Sequence, residues 1–143
     1  MSDKYVATST ITIDALPSRV WEVITDTESV GQLFFGSEVI TDWSVGSPIV
    51  WRGEWEGKPF EDKGEIIAFE PGRRLETTHF SPLTGQADAP ENYHTLTWTL
   101  EPFGTQTVLT LRQDNNDSAE AAAHSKQMWD SLLASAKDAA EGA

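Results

Sequence analysis

The sequence predicts an α+β domain: an antiparallel sheet of about six to seven strands, wet on one face and covered on the other by a long C-terminal helix. Three observations carry this. Residues 5–13 (YVATSTITI) alternate and are rich in β-branched side chains, as a half-buried strand requires. Residues 38–113 hold short apolar runs separated by Gly/Pro turns. Residues 119–140 keep one apolar or small stripe at helical spacing.

The elements follow in order. After the first strand, Pro17 suits the first turn of a helix, because its missing N–H lies among the unpaired ones there. Val20, Trp21, Val23 and Ile24 recur at helical spacing. Thr25-Asp26-Thr27-Glu28 has capping-box spacing and predicts a second short helix through Leu33, ended by Gly36. Val39-Ile40 is a short strand, and Val45-Gly46-Ser47-Pro48 a turn. Strands are expected at 49–55, 60–69 and 74–80, separated by turns at Glu56-Gly57-Lys58-Pro59 and Glu70-Pro71-Gly72. A loop from Ser81 to Asn92 leads to strands at 94–100 and 107–113, joined across Pro102-Phe103-Gly104. Asp117 or Ser118 caps the last helix. Its stripe runs through Ser125, Met128, Trp129, Leu132, Leu133, Ala136 and Ala140.

Pairing Trp55 with Phe60, Phe69 with Arg74 and Leu100 with Thr107 assigns the faces, since side chains alternate with period two. Ile49, Trp51, Trp55, Phe60, Gly64, Ile66 and Ala68 then share the covered face with Leu75, Thr77 and His79. His94, Leu96, Trp98, Leu109 and Leu111 lie together. Arg52, Glu54, Glu61, Lys63, Glu65 and Glu76 fall on the wet face, which is the pattern of a sheet packed on one side only.

The 143 residues make one domain, 1–143, long enough to bury about 68–70% of its unfolded surface. The chain has no cysteine, which excludes disulfides and thiolate metal sites. No early apolar run of signal-peptide length and no apolar stretch of about 20 residues is present. A cytoplasmic protein without a membrane span is therefore expected. The formal charge of −13 argues against nucleic acid and anionic membranes, since Arg73-Arg74 is the largest basic cluster. Six tryptophans, at 21, 43, 51, 55, 98 and 129, supply either a filled core or the walls of a pocket.

Several local words, in order, carry a family resemblance. They are Ala15-Leu16-Pro17-Ser18-Arg19-Val20-Trp21-Glu22-Val23-Ile24-Thr25-Asp26, Trp43-Ser44-Val45-Gly46-Ser47-Pro48-Ile49, Lys63-Gly64-Glu65-Ile66-Ile67, Pro71-Gly72-Arg73-Arg74-Leu75 and Thr97-Trp98-Thr99-Leu100-Glu101-Pro102. Together they resemble the helix-grip fold of the START-like (SRPBCC) superfamily. Within it, the chain is similar to the C-terminal domain of the activator of the Hsp90 ATPase. The resemblance spans about residues 6–133. It implies a curved sheet wrapped on the long helix, with two short helices closing one end. Between sheet and helix, members of the superfamily hold lipids, sterols, polyketides or plant hormones in a hydrophobic cavity. It further implies that Trp21 packs against the sheet and that Leu33, Phe34 and Phe35 form part of the cavity mouth.

The expected function is binding of a small, mainly hydrophobic molecule in that cavity. Trp51, Trp55, Phe60, Ile66, Leu96 and Trp98 would line it from the sheet, and Met128, Trp129 and Leu132 from the helix. Thr77, His79 and His94 are the polar residues on the same face, and with Tyr93 they are candidates to orient a head group. Chaperone activation is the first alternative, weakened because the chain is one domain and lacks the separate N-terminal domain of the eukaryotic activator. A cavity enzyme, a cyclase or hydrolase on an apolar substrate, is the second and rests on the two histidines alone. No catalytic residue is assigned. Asp62, Asp88 or Glu91 would be needed to complete a metal site, and no ligand spacing signals one. Nucleophile-elbow, dinucleotide and phosphate-loop motifs are missing, so no cofactor is expected. A homodimer is compatible with the sequence.

Overall fold

The computed structural model describes residues 5–34, 36–82 and 85–142. Its elements are β1 (Ala7–Ile13), α1 (Pro17–Thr25), α2 (Thr27–Leu33), β2 (Glu38–Thr41), β3 (Pro48–Trp55), β4 (Lys58–Glu70), β5 (Arg74–His79), β6 (His94–Phe103), β7 (Gln106–Gln113) and α3 (Ala119–Glu141). The seven strands form one antiparallel sheet in the order β1-β7-β6-β5-β4-β3-β2. From β2 to β7 the chain is a simple meander. β1 pairs with β7 at the opposite edge from β2, although the two strands are consecutive in sequence. The α1–α2 segment therefore carries the chain from one edge of the sheet to the other, which is why two helical pieces follow the first strand.

Pro17 opens α1, as its fixed φ allows. The cap of α2 differs from the expected box. Asp26, not Thr25, is the N-cap, and its carboxylate accepts from the Ser29 N–H at 3.0 Å. Thr25 belongs to α1 and donates its hydroxyl to the Trp21 carbonyl at 2.7 Å. α3 starts at Ser118, whose hydroxyl oxygen accepts from the Ala121 N–H. Its buried stripe is Ala122, Trp129, Leu132, Leu133, Ala136 and Ala140, pressed chiefly on β1. Met128 is a correction. One residue before Trp129, it is rotated off the stripe and is 38% exposed.

The hairpin registers are tighter than expected. Trp55 pairs with Lys58 and Gly53 with Phe60, across a two-residue turn whose Glu56 and Gly57 both have positive φ. Leu100 pairs with Leu109 rather than Thr107. Both shifts are by two residues, so every side chain keeps its expected face. The β4–β5 hairpin differs by one. Phe69 pairs with Leu75, and a bulge between Ile66 and Ala68 reverses the alternation. Ala68, expected inside, lies opposite Glu76 on the outer face. Phe69 turns inward, with its ring centroid 5.2 Å from Trp21 and 6.3 Å from Trp43.

Candidate functional site

The inner face of β4, β5 and β6 carries four polar side chains among apolar ones. Asp62 is paired across the sheet with Trp51, Thr77 with Ile66 and Leu96, and His79 with His94. Directly paired residues share a face, so Asp62, Thr77, His79 and His94 project to the same side. The histidine rings stack, 6.2 Å between centroids and 29° between planes, and Trp51 meets His79 edge-on at 4.9 Å.

The polar atoms are only partly matched. His79 Nε2 donates to Asp62 Oδ2 at 3.0 Å, with both side chains about 15% exposed (15% and 16%). His94 Nδ1 donates to the Asp114 carbonyl at 2.8 Å. Burial is the main influence on His94 and pushes its pKa down; the Asp114 carbonyl pulls the other way. Burial thus favours the neutral ring. Three buried side-chain atoms have no hydrogen-bond partner among the described residues: Asp62 Oδ1, Thr77 Oγ1 and His79 Nδ1. A buried polar atom left unpaired costs about 1–3 kcal/mol, and three on adjacent strands of one face are concentrated there. Chemically, the Asp62–His79 pair is an oriented imidazole with one nitrogen unused.

Above this floor the interior is packed. The void between α1–α2 and strands β3, β5 and β6 measures about 10 Å³ and is bordered by Phe34, Trp43, Trp51, Thr77 and Trp98 among others. That is room for one water at most, against about 300–1,000 Å³ for a typical ligand site. Among the described residues this void is far smaller than the cavity that the family resemblance implied, and Phe34 takes up the space beside it. At the C-cap of α2, its ring lies 5.9 Å from Trp51, 6.4 Å from Trp98 and 6.1 Å from Trp129.

The expected lining residues divide accordingly. Trp51, Ile66, Leu96, Trp98, Trp129 and Leu132 are all buried in the core. Trp129 Nε1 donates to Gln113 Oε1 at 3.2 Å. Phe60 is half-buried over Gly53, near the tip of the β3–β4 hairpin and away from the void. The side chain of Trp55 and the whole of Phe35 lie outside the described residues. Tyr93 is a correction: it stacks on Phe80 at 5.1 Å and donates to the exposed Asp88, beyond the outer face. Arg52 reaches Glu61 on the wet face, as its register predicted. Asp62 and Gln113 were missed as inner-face groups. The signal was present: each continues a period-two apolar series, Phe60-x-Asp62-x-Gly64-x-Ile66 and Leu109-x-Leu111-x-Gln113.

A curved sheet gripping one long helix, closed by two short ones, with a mixed aromatic and polar inner face, defines the helix-grip class of the START-like proteins. The family model for "Activator of Hsp90 ATPase homolog 1-like protein" matches residues 14–141, and the chain belongs to that family. Among solved structures, ChR145 from Cytophaga hutchinsonii is 41% identical, with 99% of this chain and 97% of that one covered and a TM-score of 0.86. The Aha1 dimer from Colwellia psychrerythraea is 20% identical over 95% and 96% of the two chains, with a TM-score of 0.73. DynU16, a putative protein of the dynemicin biosynthetic locus, is 20% identical; the match covers 96% of this chain and 48% of that one, with a TM-score of 0.78. A comparison with curated proteins gave no match. Among the described residues, no helix is long and apolar enough to cross a membrane.

Proposed function

We propose that the protein binds a small, mainly hydrophobic molecule between the sheet and the helices, with Asp62, Thr77 and His79 holding its polar end. The observation that carries this is the set of three unpaired buried atoms on one face, beside an aromatic cage. A packed domain has no structural need for them, and a ligand head group would satisfy them. Phe34 occupies the place of the ligand's apolar body. Its aromatic contacts are each worth about 0.5–1.5 kcal/mol, which a ligand ring among the same tryptophans would restore. Binding thus exchanges one ring for another, at the cost of moving the end of α2.

The test is native mass spectrometry of protein purified from its own host, followed by titration of an apolar probe. An adduct that leaves on denaturation is the expected result. A bare polypeptide, together with indole N–H signals that ignore the probe even in the Phe34→Ala variant, overturns the binding role.

A second reading, a surface role on an Hsp90-type chaperone, is favoured by the packed interior and by the family description. It predicts stimulation of chaperone ATPase turnover; turnover unchanged at saturating protein removes it. The dimer found for the Colwellia relative extends the same reading to self-association. Light scattering on the purified chain reads it directly, and a monomer mass at high concentration excludes it.

A further inference from the structure

We propose that the inner-face polar cluster selects ligands whose head group donates hydrogen bonds, a hydroxyl or an ammonium on an apolar body, and rejects carboxylates. The proposal rests on the binding role above and adds the chemistry of the head group. It follows from counting donors and acceptors. An ionised carboxylate only accepts, so Asp62 Oδ1 offers an acceptor. Its other oxygen takes the Nε2–H of His79, which in the neutral ring leaves His79 Nδ1 as a second acceptor. The Asp114 carbonyl can only accept, so the His94 proton sits on Nδ1 and Nε2 is a third acceptor in the neutral ring, the form that burial favours. Thr77 Oγ1 alone can donate.

A phenol or alcohol matches this set. Its O–H donates to Asp62 or His79, and its oxygen accepts from Thr77. An ammonium matches it through its protons and its charge. A carboxylate brings two more acceptors against acceptors, and a second negative charge beside Asp62 where little water screens it. The surrounding charge, −13 over the chain, acts in the same direction. The place for the apolar body is beside Thr77, which with Trp51, Trp98 and Phe34 borders the same small void, so the polar floor and the aromatic cage meet at that residue.

The test uses three probes with one apolar body, 2-naphthol, 2-naphthoate and 2-methylnaphthalene, titrated at about pH 8 into the intact chain and its Phe34→Ala variant. Tryptophan indole N–H shifts give the dissociation constants. Naphthol is expected to bind about tenfold tighter than methylnaphthalene, the worth of about one hydrogen bond, and tighter still than naphthoate. Thr77→Val, which removes the hydroxyl at nearly constant volume, is expected to narrow the naphthol advantage, and Asp62→Asn to raise naphthoate affinity relative to naphthol. Three equal affinities, or naphthoate the tightest, overturn the head-group selection while leaving apolar binding intact. Failure of all three probes, methylnaphthalene included, removes the binding role and this proposal with it.

Discussion

His94 couples the fold to pH through one ring. Its pKa is lowered in the folded protein, so the unfolded chain binds this proton more readily. Stability therefore falls as pH drops through about 6.5, the unfolded histidine value, and the loss levels off below the folded value. Urea midpoints between about pH 7.5 and 5.5 are expected to decline in the parent and to decline less in His94→Gln; equal slopes would show that other groups set the dependence. Phe34 makes a different residue-scale case, because its stabilising and obstructing roles are the same contact set. Phe34→Ala is expected to cost roughly 2–3 kcal/mol, less than the 3–5 of a fully buried phenylalanine, since the residue is only half-buried. The same variant should bind apolar probes more tightly than the parent. Stability lost without any gain in affinity would mean that Phe34 is core and nothing more.

At the scale of elements, the β4–β5 hairpin is held by close backbone approach. A Cβ on Gly64 would stand 1.8 Å from the Thr78 carbonyl oxygen, so the backbone would have to move. Gly64→Ala is expected to cost about 3 kcal/mol, the upper end of overpacking effects, read as a lower urea midpoint at unchanged slope; a variant of parental stability would refute that approach. These elements also show what sequence can convey. Strand faces were readable wherever turns were tight, because a register error of two leaves alternation untouched. Hence Trp51, His94 and Trp98 were placed correctly on their face, whereas Thr77 and His79 were placed correctly because the one-residue register error at β4–β5 and the bulge cancel. The bulge at Ile67 was not readable: no glycine or proline marks it, and it inverted Ala68 and Phe69. Asp62 was hidden because its neighbours Glu61 and Lys63 both read as a wet surface. The filling of the interior was hidden too, since Phe34 sits at a helix end where neither period applies.

For the whole molecule, charge decides more than ion pairs do. The described pairs, such as Arg52–Glu61 and Lys126–Asp130, are largely exposed and each is worth about 0–1 kcal/mol. Twenty-three acidic residues face ten basic ones, so repulsion persists over the whole surface. Raising NaCl to about 0.5 M shortens the screening length to about 4 Å and is expected to raise the melting temperature by several degrees. A melting temperature that falls with salt would show that the ion pairs outweigh the repulsion.

The placement of β1 has a consequence for how the molecule opens. β1 lies between β7 and α3, and α3 is tied back to the start of the chain at several points. Asp130 accepts from Ser9, Glu141 accepts from the Asp14 N–H, and Arg19 donates to the carbonyls of Ala139 and Ala140. β1 pairs with residues about a hundred positions away, while each strand from β2 to β7 pairs with its sequence neighbour, β5 and β6 across the loop of residues 80–93. The strand and the helix that seals it therefore depend on each other. Native-state hydrogen exchange should find β1 and α3 opening as one unit with a shared free energy, below that of β5 and β6. Such an opening swings the helical cover off the floor like a door hinged on the sheet, exposing the buried tryptophans without unfolding the strands beneath them.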